Sequence, residues 1–272
     1  MRPIASLAGS HLHNPGAAHP TGKFTMTKRV LLTALAACAA LAPALAPAPA
    51  LAPAAAAATD TAAAAGTATA TGTVSNGIGW TAKPDAGPSN PMQNQEYCTL
   101  GVVGTDALGN KIAISAGHCV SAAAGGASDF PDGSTVYRFG PSGTGDPIGT
   151  VAYRDPRIDY VVIELNPDAV LSSDGPEARI DSLGPAHPDG MLCKAGVRTG
   201  LTCGPIYGQE AQRISSFVTA NGGDSGGPAF VNGSQLVGMT RAPFEFVDIA
   251  AVLGGIEAQS NPVGKGFTVT DS

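Results

Sequence analysis

The chain has 272 residues, with 15 lysines and arginines against 21 aspartates and glutamates and a net charge of −6. That acidic balance lacks the basic footprint of a nucleic-acid binder. The sequence also shows neither metal-ligand spacing nor a phosphate-binding glycine loop, so no metal and no cofactor is expected. Charged residues make up only 13% and glycines number 36, a composition suited to many short strands joined by turns.

Residues 1–58 read as a signal region, with Met26 as a possible true start. Met26-Thr27-Lys28-Arg29 is a basic opening, Val30 to about Leu41 is apolar, and small-residue cleavage options such as Ala50-Leu51-Ala52 follow. The run from Val30 to Ala58 carries no charge, but Pro43, Pro47, Pro49 and Pro53 argue against one spanning helix. Leu35-Ala36-Ala37-Cys38 resembles a bacterial lipoprotein cleavage box, which makes anchoring through Cys38 the less favoured reading beside a plain cleaved signal. Residues 59–72 are rich in alanine, threonine and glycine, as in a flexible linker or short pro-segment. A secreted monomer without a stable membrane span is expected, with its folded domain over 73–272.

The domain reads as all-β. Thr99 to Val103 and Lys111 to Ser115 form a strand pair around a turn at 106–110. Strands are expected at Thr135–Phe139, Ile148–Tyr153 and Tyr160–Leu165, the last a β-branched run typical of a buried strand. After the Pro/Asp/Gly-rich stretch 166–190, further strands are read at Gly196–Thr202, Ala229–Val231 and Leu236–Thr240. Val247, Ala250, Ala251, Leu253, Gly254 and Ile256 recur at helical spacing, which predicts an amphipathic helix over 246–259.

Two short motifs carry the chemistry. Gly223-Asp224-Ser225-Gly226-Gly227-Pro228 places Ser225 in a tight turn with few side chains, where backbone N–H groups can converge. Ser115-Ala116-Gly117-His118-Cys119 supplies a histidine. A serine hydroxyl is a weak nucleophile and needs a general base. Of the five histidines, His11, His13 and His19 precede the signal, and His187 sits in a polar turn of the kind that is usually just solvated. His118 is therefore the candidate base. No histidine follows Ser225, so the Ser…Asp…His order of an α/β-hydrolase fails, while His…Asp…Ser is the remaining arrangement. Several aspartates lie in the interval. Asp159 opens the buried strand at 160–165, where a carboxylate can be held rigidly enough to orient an imidazole. Asp155, in the turn before it, is the reserve candidate.

With these motifs the chain resembles the chymotrypsin-like (trypsin-like) serine proteases over roughly Tyr97 to Gln259, most of all the bacterial streptogrisin and α-lytic branch. Three blocks carry the likeness: Ile114–Cys119, Cys193–Gly200 and Asn221–Pro228. The resemblance implies two six-stranded antiparallel β-barrels, about 73–175 and 176–272, with the site between them and a C-terminal helix. It implies His118 as base, Asp159 as orienting partner, Ser225 as nucleophile, and an oxyanion hole from the N–H groups of Gly223 and Ser225. A polypeptide is the implied substrate. It also implies disulfides Cys98–Cys119 and Cys193–Cys203, out of three possible connectivities for the four cysteines after Cys38.

The chain departs from the family in places. Thr219 stands where trypsin has an aspartate, so cleavage after lysine or arginine is not expected. Thr219, Ala220, Asn221, Thr240, Arg241 and Pro243 are the expected pocket residues, and they favour small or medium uncharged side chains, with acidic ones second. Arg241 falls where the family has a small serine bonded to the catalytic aspartate, which raises the alternative of an impaired, protease-like binding or adhesion protein. No Ile-Val-Gly-Gly segment is present to supply a buried α-amino group beneath the nucleophile. In the bacterial branch an arginine just after the first cysteine of the middle block fills that role, so the resemblance implies that Lys194, which stands there, pairs with Asp224, with Arg198 as the alternative partner.

Overall fold

Glycine-rich turns every few residues break the apolar runs of this chain into short strands, which curl into a half-barrel sheet and a closed barrel. The structure, a computed structural model, describes residues 72–88 and 96–271. The expected signal region and nearly all of the expected linker lie outside the described residues. The first strands are β1 (Thr73–Ser75), β2 (Gly79–Thr81), β3 (Cys98–Thr99), β4 (Val102–Thr105), β5 (Lys111–Ser115) and β6 (Thr135–Gly140). They are followed by β7 (Gly143–Asp155), β8 (Tyr160–Leu165), β9 (Val170–Ser172), β10 (Ser182–Leu183), β11 (Met191–Lys194) and β12 (Thr202–Glu210). The chain ends with β13 (Arg213–Ser216), β14 (Pro228–Val231), β15 (Gln235–Ala242), β16 (Glu245–Asp248), helix α1 (Ile249–Ala258) and β17 (Thr268–Val269).

In the second half, β11, β12, β13, β16, β15 and β14 pair antiparallel in that order, and β14 pairs back onto β11. This is a closed six-stranded barrel, which leaves none of the six an open edge. In the first half the order is β4, β5, β8, β7, β6, β2, β3. Only Leu100 and Gly101 separate β3 from β4, so this sheet curls back on itself. Leu100 N donates to Ile78 O at 2.9 Å and Gly101 N to Ile114 O at 2.9 Å, carrying the pairing through the bend. Two short additions are parallel, β1 with β9 and β10 with β15, and β17 adds to β4.

The half-barrel and the closed barrel are each filled by apolar, largely β-branched and leucine side chains. One cluster, including Trp80, Leu100, Val151, Val161 and Ile163, fills the first. Another, including Leu192, Ile214, Val237 and Phe246, fills the second. A third joins them: Ile112, Ile114 and Val162 from the first meet Phe230, Leu236, Met239 and Val252 from the second half. No helix among the described residues is long and apolar enough to cross a membrane.

Two predicted elements are corrected. Residues 195–201 form a loop between β11 and β12, not a strand, closed by Gly200 N donating to Gly196 O at 2.8 Å. Its amides turn inward to a buried carboxylate, described below, instead of to a neighbouring strand. The predicted helix begins three residues late. Glu245–Asp248 completes the second barrel as β16, and α1 starts after Asp248, whose carboxylate accepts from Ala250 N at 2.8 Å as an N-cap.

Candidate active site

His118 sits on a single 3-10 turn, Gly117–Cys119, directly after β5. Gly117 lets that turn approach β8 closely, since a Cβ there would lie 2.9 Å from Tyr160 O. On the facing side the chain rounds a turn whose hub is Asp155. The Asp155 carboxylate accepts from Arg157 N at 2.8 Å, and its pKa is held below the ordinary carboxylate value chiefly by the Arg157 side chain. Asp155 is thus consumed by its own turn. The turn delivers Asp159 in the left-handed region at φ 78°, a conformation aspartate tolerates better than most residues.

Asp159 is almost wholly buried and reaches His118 three times. Its Oδ1 accepts from His118 N at 2.8 Å, while Oδ1 and Oδ2 lie 3.2 and 3.0 Å from His118 Nδ1. A carboxylate bonded to both the backbone and the ring of one histidine fixes the ring plane and favours a proton on Nδ1. Nε2 is then the ring atom left with a lone pair.

Ser225 lies in the turn 221–227, half-buried. Gly223 at φ 104° and Gly226 at φ 81° take backbone conformations open to glycine. The turn is anchored on all sides: Thr99 Oγ1 donates to Gly223 O at 2.7 Å, Thr99 N to Ser225 O at 2.9 Å, and Gly226 N to Thr240 O at 2.7 Å. Among the described residues, no acceptor engages the amides of Gly223 and Ser225. Ser225 and His118 line the same cleft, of about 580 Å³, together with Trp80, Tyr97, Phe130 and Gly223. Lys83 and Glu96, paired at 2.5 Å, lie on its rim. The structure thus brings Ser225, His118 and Asp159 to one place.

Beneath the turn lies Asp224, fully buried. Its Oδ1 accepts from Arg198 N at 2.9 Å and Thr199 N at 3.0 Å; its Oδ2 accepts from Asn221 N at 2.9 Å and Thr199 Oγ1 at 2.6 Å. Lys194 is equally buried. Its Nζ stands 3.4 Å from Asp224 Oδ2 and donates to Thr199 Oγ1 and to Gly200 O. Arg198 contributes its backbone to Asp224, through its amide. Both disulfides form: Cys98–Cys119 ties β3 to the His118 turn, and Cys193–Cys203 crosses β11 and β12.

The expected pocket residues are spread differently. None of Thr219, Ala220, Asn221, Thr240, Arg241 and Pro243 lines the cleft that holds His118 and Ser225. Ala220 and Thr240 are buried, and Pro243 with Phe244 makes the short turn between β15 and β16. Arg241 points its guanidinium toward two carboxylates, with Nε 3.3 Å from Asp159 Oδ2 and Nη1 3.2 Å from Glu245 Oε1. Sequence reasoning did not find Thr199 or Glu245, because no local motif marks either one. The described residues contain no group of three or more His, Cys, Asp and Glu side chains arranged to hold a metal ion.

No family model matches the sequence. Two curated relatives do, both from Mycobacterium tuberculosis: uncharacterized protein Rv1815 of strain H37Rv and uncharacterized protein MT1863 of strain CDC 1551. Each is 34% identical over 160 residues, covering 54% of this chain and 68% of its own. Among solved structures, Thermobifida fusca Protease A superposes with a TM-score of 0.50 at 19% identity, covering 73% of this chain and 100% of that one. A serine protease described as glutamic acid specific superposes with a TM-score of 0.50 at 18% identity, over 67% of this chain and 97% of the other. Identities this low speak for the fold. The chain belongs to the family of these uncharacterized mycobacterial proteins, and it carries the fold of the bacterial chymotrypsin-like serine proteases.

Proposed function

We propose that this protein is a secreted serine endopeptidase that cleaves polypeptides through an acyl-enzyme. One observation carries the reading: the His118 imidazole is bonded through Nδ1 to buried Asp159 and shares a cleft with Ser225. In this mechanism His118 Nε2 takes the Ser225 proton as Oγ attacks the scissile carbonyl, then gives it to the departing amine. Asp159 holds the ring and offsets the charge it gains. The free amides of Gly223 and Ser225 receive the oxyanion, a contribution on the order of 3 kcal/mol per donor. The Lys194–Asp224 pair, bridged by Thr199, holds the nucleophile turn without any freed α-amino group. Two disulfides suit an oxidising compartment, hence export.

The experiment is labelling by a fluorophosphonate probe, comparing wild type with Ser225→Ala and His118→Ala. Labelling of wild type alone supports the reading, as does its decline when the pH falls and the base takes up a proton. Equal labelling of Ser225→Ala and wild type overturns it. A second reading, a protease-like binding protein that has lost turnover, is favoured by Arg241 Nε lying 3.3 Å from Asp159. It requires that wild type resist the probe at every pH.

A further inference from the structure

Arg241 is held between two carboxylates, and only one belongs to the proposed triad. Its Nε approaches Asp159 Oδ2 at 3.3 Å without hydrogen-bond alignment, so this contact acts through charge. Its Nη1 donates to Glu245 Oε1 at 3.2 Å. The same Glu245 oxygen accepts from Arg213 Nε at 3.0 Å, and Arg213 Nη1 donates to Ile158 O at 3.0 Å, one residue before Asp159. Glu245 therefore gathers two arginines, one facing the Asp159 carboxylate and the other bound to the backbone that presents it.

His118 from its 3-10 turn and Arg241 from β15 face the Asp159 carboxylate directly, while Glu245 from β16 and Arg213 from β13 reach it only through Arg241 and the Ile158 carbonyl. Within its own turn, Arg157 and Asp155 largely neutralise each other at 2.7 Å. The small hydroxyl that the family resemblance implied at position 241 is replaced by a full positive charge. Unopposed, that charge competes with His118 for the carboxylate and repels the protonated imidazole. Glu245 takes the far edge of the guanidinium and offsets it.

We propose that Arg241 and Glu245 are a coupled pair of positioning residues that set, with opposite sign, how strongly Asp159 supports positive charge on His118. The proposal rests on the serine protease reading and deepens it. It explains how an arginine is accommodated beside the orienting acid, with Glu245 as a residue this site requires and the simple triad does not.

The test is the rate of fluorophosphonate labelling of the full chain as a function of pH. Arg241→Ser is expected to move the acid limb to higher pH and Glu245→Gln to move it to lower pH, each by roughly 0.5 to 1 pH unit. The double variant returns toward wild type, and Arg241→Lys, which keeps the charge, stays near it. A purely structural role lowers the rate or the thermal stability without moving the limb. If Arg241→Ser does not fold, the direction of the Glu245→Gln shift decides. Limbs that stay in place, or move the same way in both variants, overturn the proposal while Ser225 still labels. Absence of Ser225 labelling in wild type at every pH overturns the underlying reading instead.

Discussion

Lys194 Nζ and Asp224 Oδ2 stand 3.4 Å apart with both side chains fully buried. The geometry is that of a bridged pair more than a direct one, because Thr199 Oγ1 lies between them, accepting from the lysine and donating to the carboxylate. Burial pulls the Lys194 pKa below its ordinary value of 10.5, and the charge of Asp224 opposes that fall. In all, Asp224 accepts four hydrogen bonds from the 195–201 loop and the nucleophile turn, so one carboxylate pins two segments together.

Removing the lysine leaves a buried carboxylate without its counter-charge, a change that commonly costs about 3–5 kcal/mol. Lys194→Met, of similar length, is expected to lose stability in that range in urea unfolding, and to lose fluorophosphonate reactivity as the Ser225 turn loosens. Thr199→Val deletes the hydroxyl that bridges the two buried charges and is expected to cost about 1–3 kcal/mol. Wild-type stability in Lys194→Met would show that the amide cradle alone suffices.

Asp106 offers a test by acid. Burial raises its pKa, but hydrogen bonds from Gly264 N, the Asn110 side chain, Asn110 N and Leu108 N outweigh that, and the net result lies below the ordinary 3.8. A carboxyl with a lowered folded pKa contributes stability that is present above its unfolded value and lost as the pH falls through the folded one. Wild type should therefore lose stability below about pH 4, whereas Asp106→Asn should start less stable at neutral pH and show a shallower acid slope. Parallel slopes in thermal melts across pH 2 to 6 would contradict this.

The sequence makes visible what depends on neighbours along the chain. Tyr160–Leu165 is a strand to the residue, because a β-branched run so apolar can only be buried. His118, Asp159 and Ser225 stand out for the same reason: each lies in a short motif or at the mouth of such a strand. Long-range partners are hidden. Gly196–Thr202 reads as a strand until the amides of Arg198 and Thr199 are seen to serve Asp224, 26 and 25 residues away. Thr202–Glu210 is the long strand actually present, obscured by Gly204, Pro205 and Gly208. Helical spacing over 246–259 masks β16, and Asp248, as N-cap, sets where the helix actually begins.

The two disulfides should separate in their effects. Cys98–Cys119 closes a span of 21 residues and ends on the turn that carries His118, whereas Cys193–Cys203 spans 10 residues between strands already in register. Chain-entropy arguments give each roughly 3 kcal/mol, slightly more for the longer loop. Stability losses in the paired cysteine-to-alanine variants should thus be similar. Labelling of Ser225 should fall further for Cys98→Ala/Cys119→Ala, since of the two disulfides only that one ends on the turn of the base. Equal losses of labelling would mean that the Asp159 bonds alone hold His118.

Gly226 is a position in the nucleophile turn where the smallest possible change should be damaging. A Cβ there would overlap Ser115 Oγ and lie 2.7 Å from both Ala116 N and Thr99 O. Its φ of 81° already disfavours any side chain. Ser115 cannot step aside freely, because its hydroxyl accepts from Trp80 Nε1 at 3.0 Å and donates to Thr99 O at 2.8 Å within the buried core. Thr99 in turn holds the carbonyls of Gly223 and Ser225. Gly226→Ala therefore has to displace the nucleophile turn, the Trp80–Ser115 bond or both. The expected outcome is a loss of at least about 2–3 kcal/mol, from left-handed strain and overpacking together. Tryptophan fluorescence, which reports on the only tryptophan of the chain, should shift with it. Gly254→Ala, on the helix with nothing within 4 Å of the added carbon, is the control expected to stabilise or leave unfolding unchanged. Matching unfolding curves for Gly226→Ala and wild type would show that the turn yields more easily than its contacts imply.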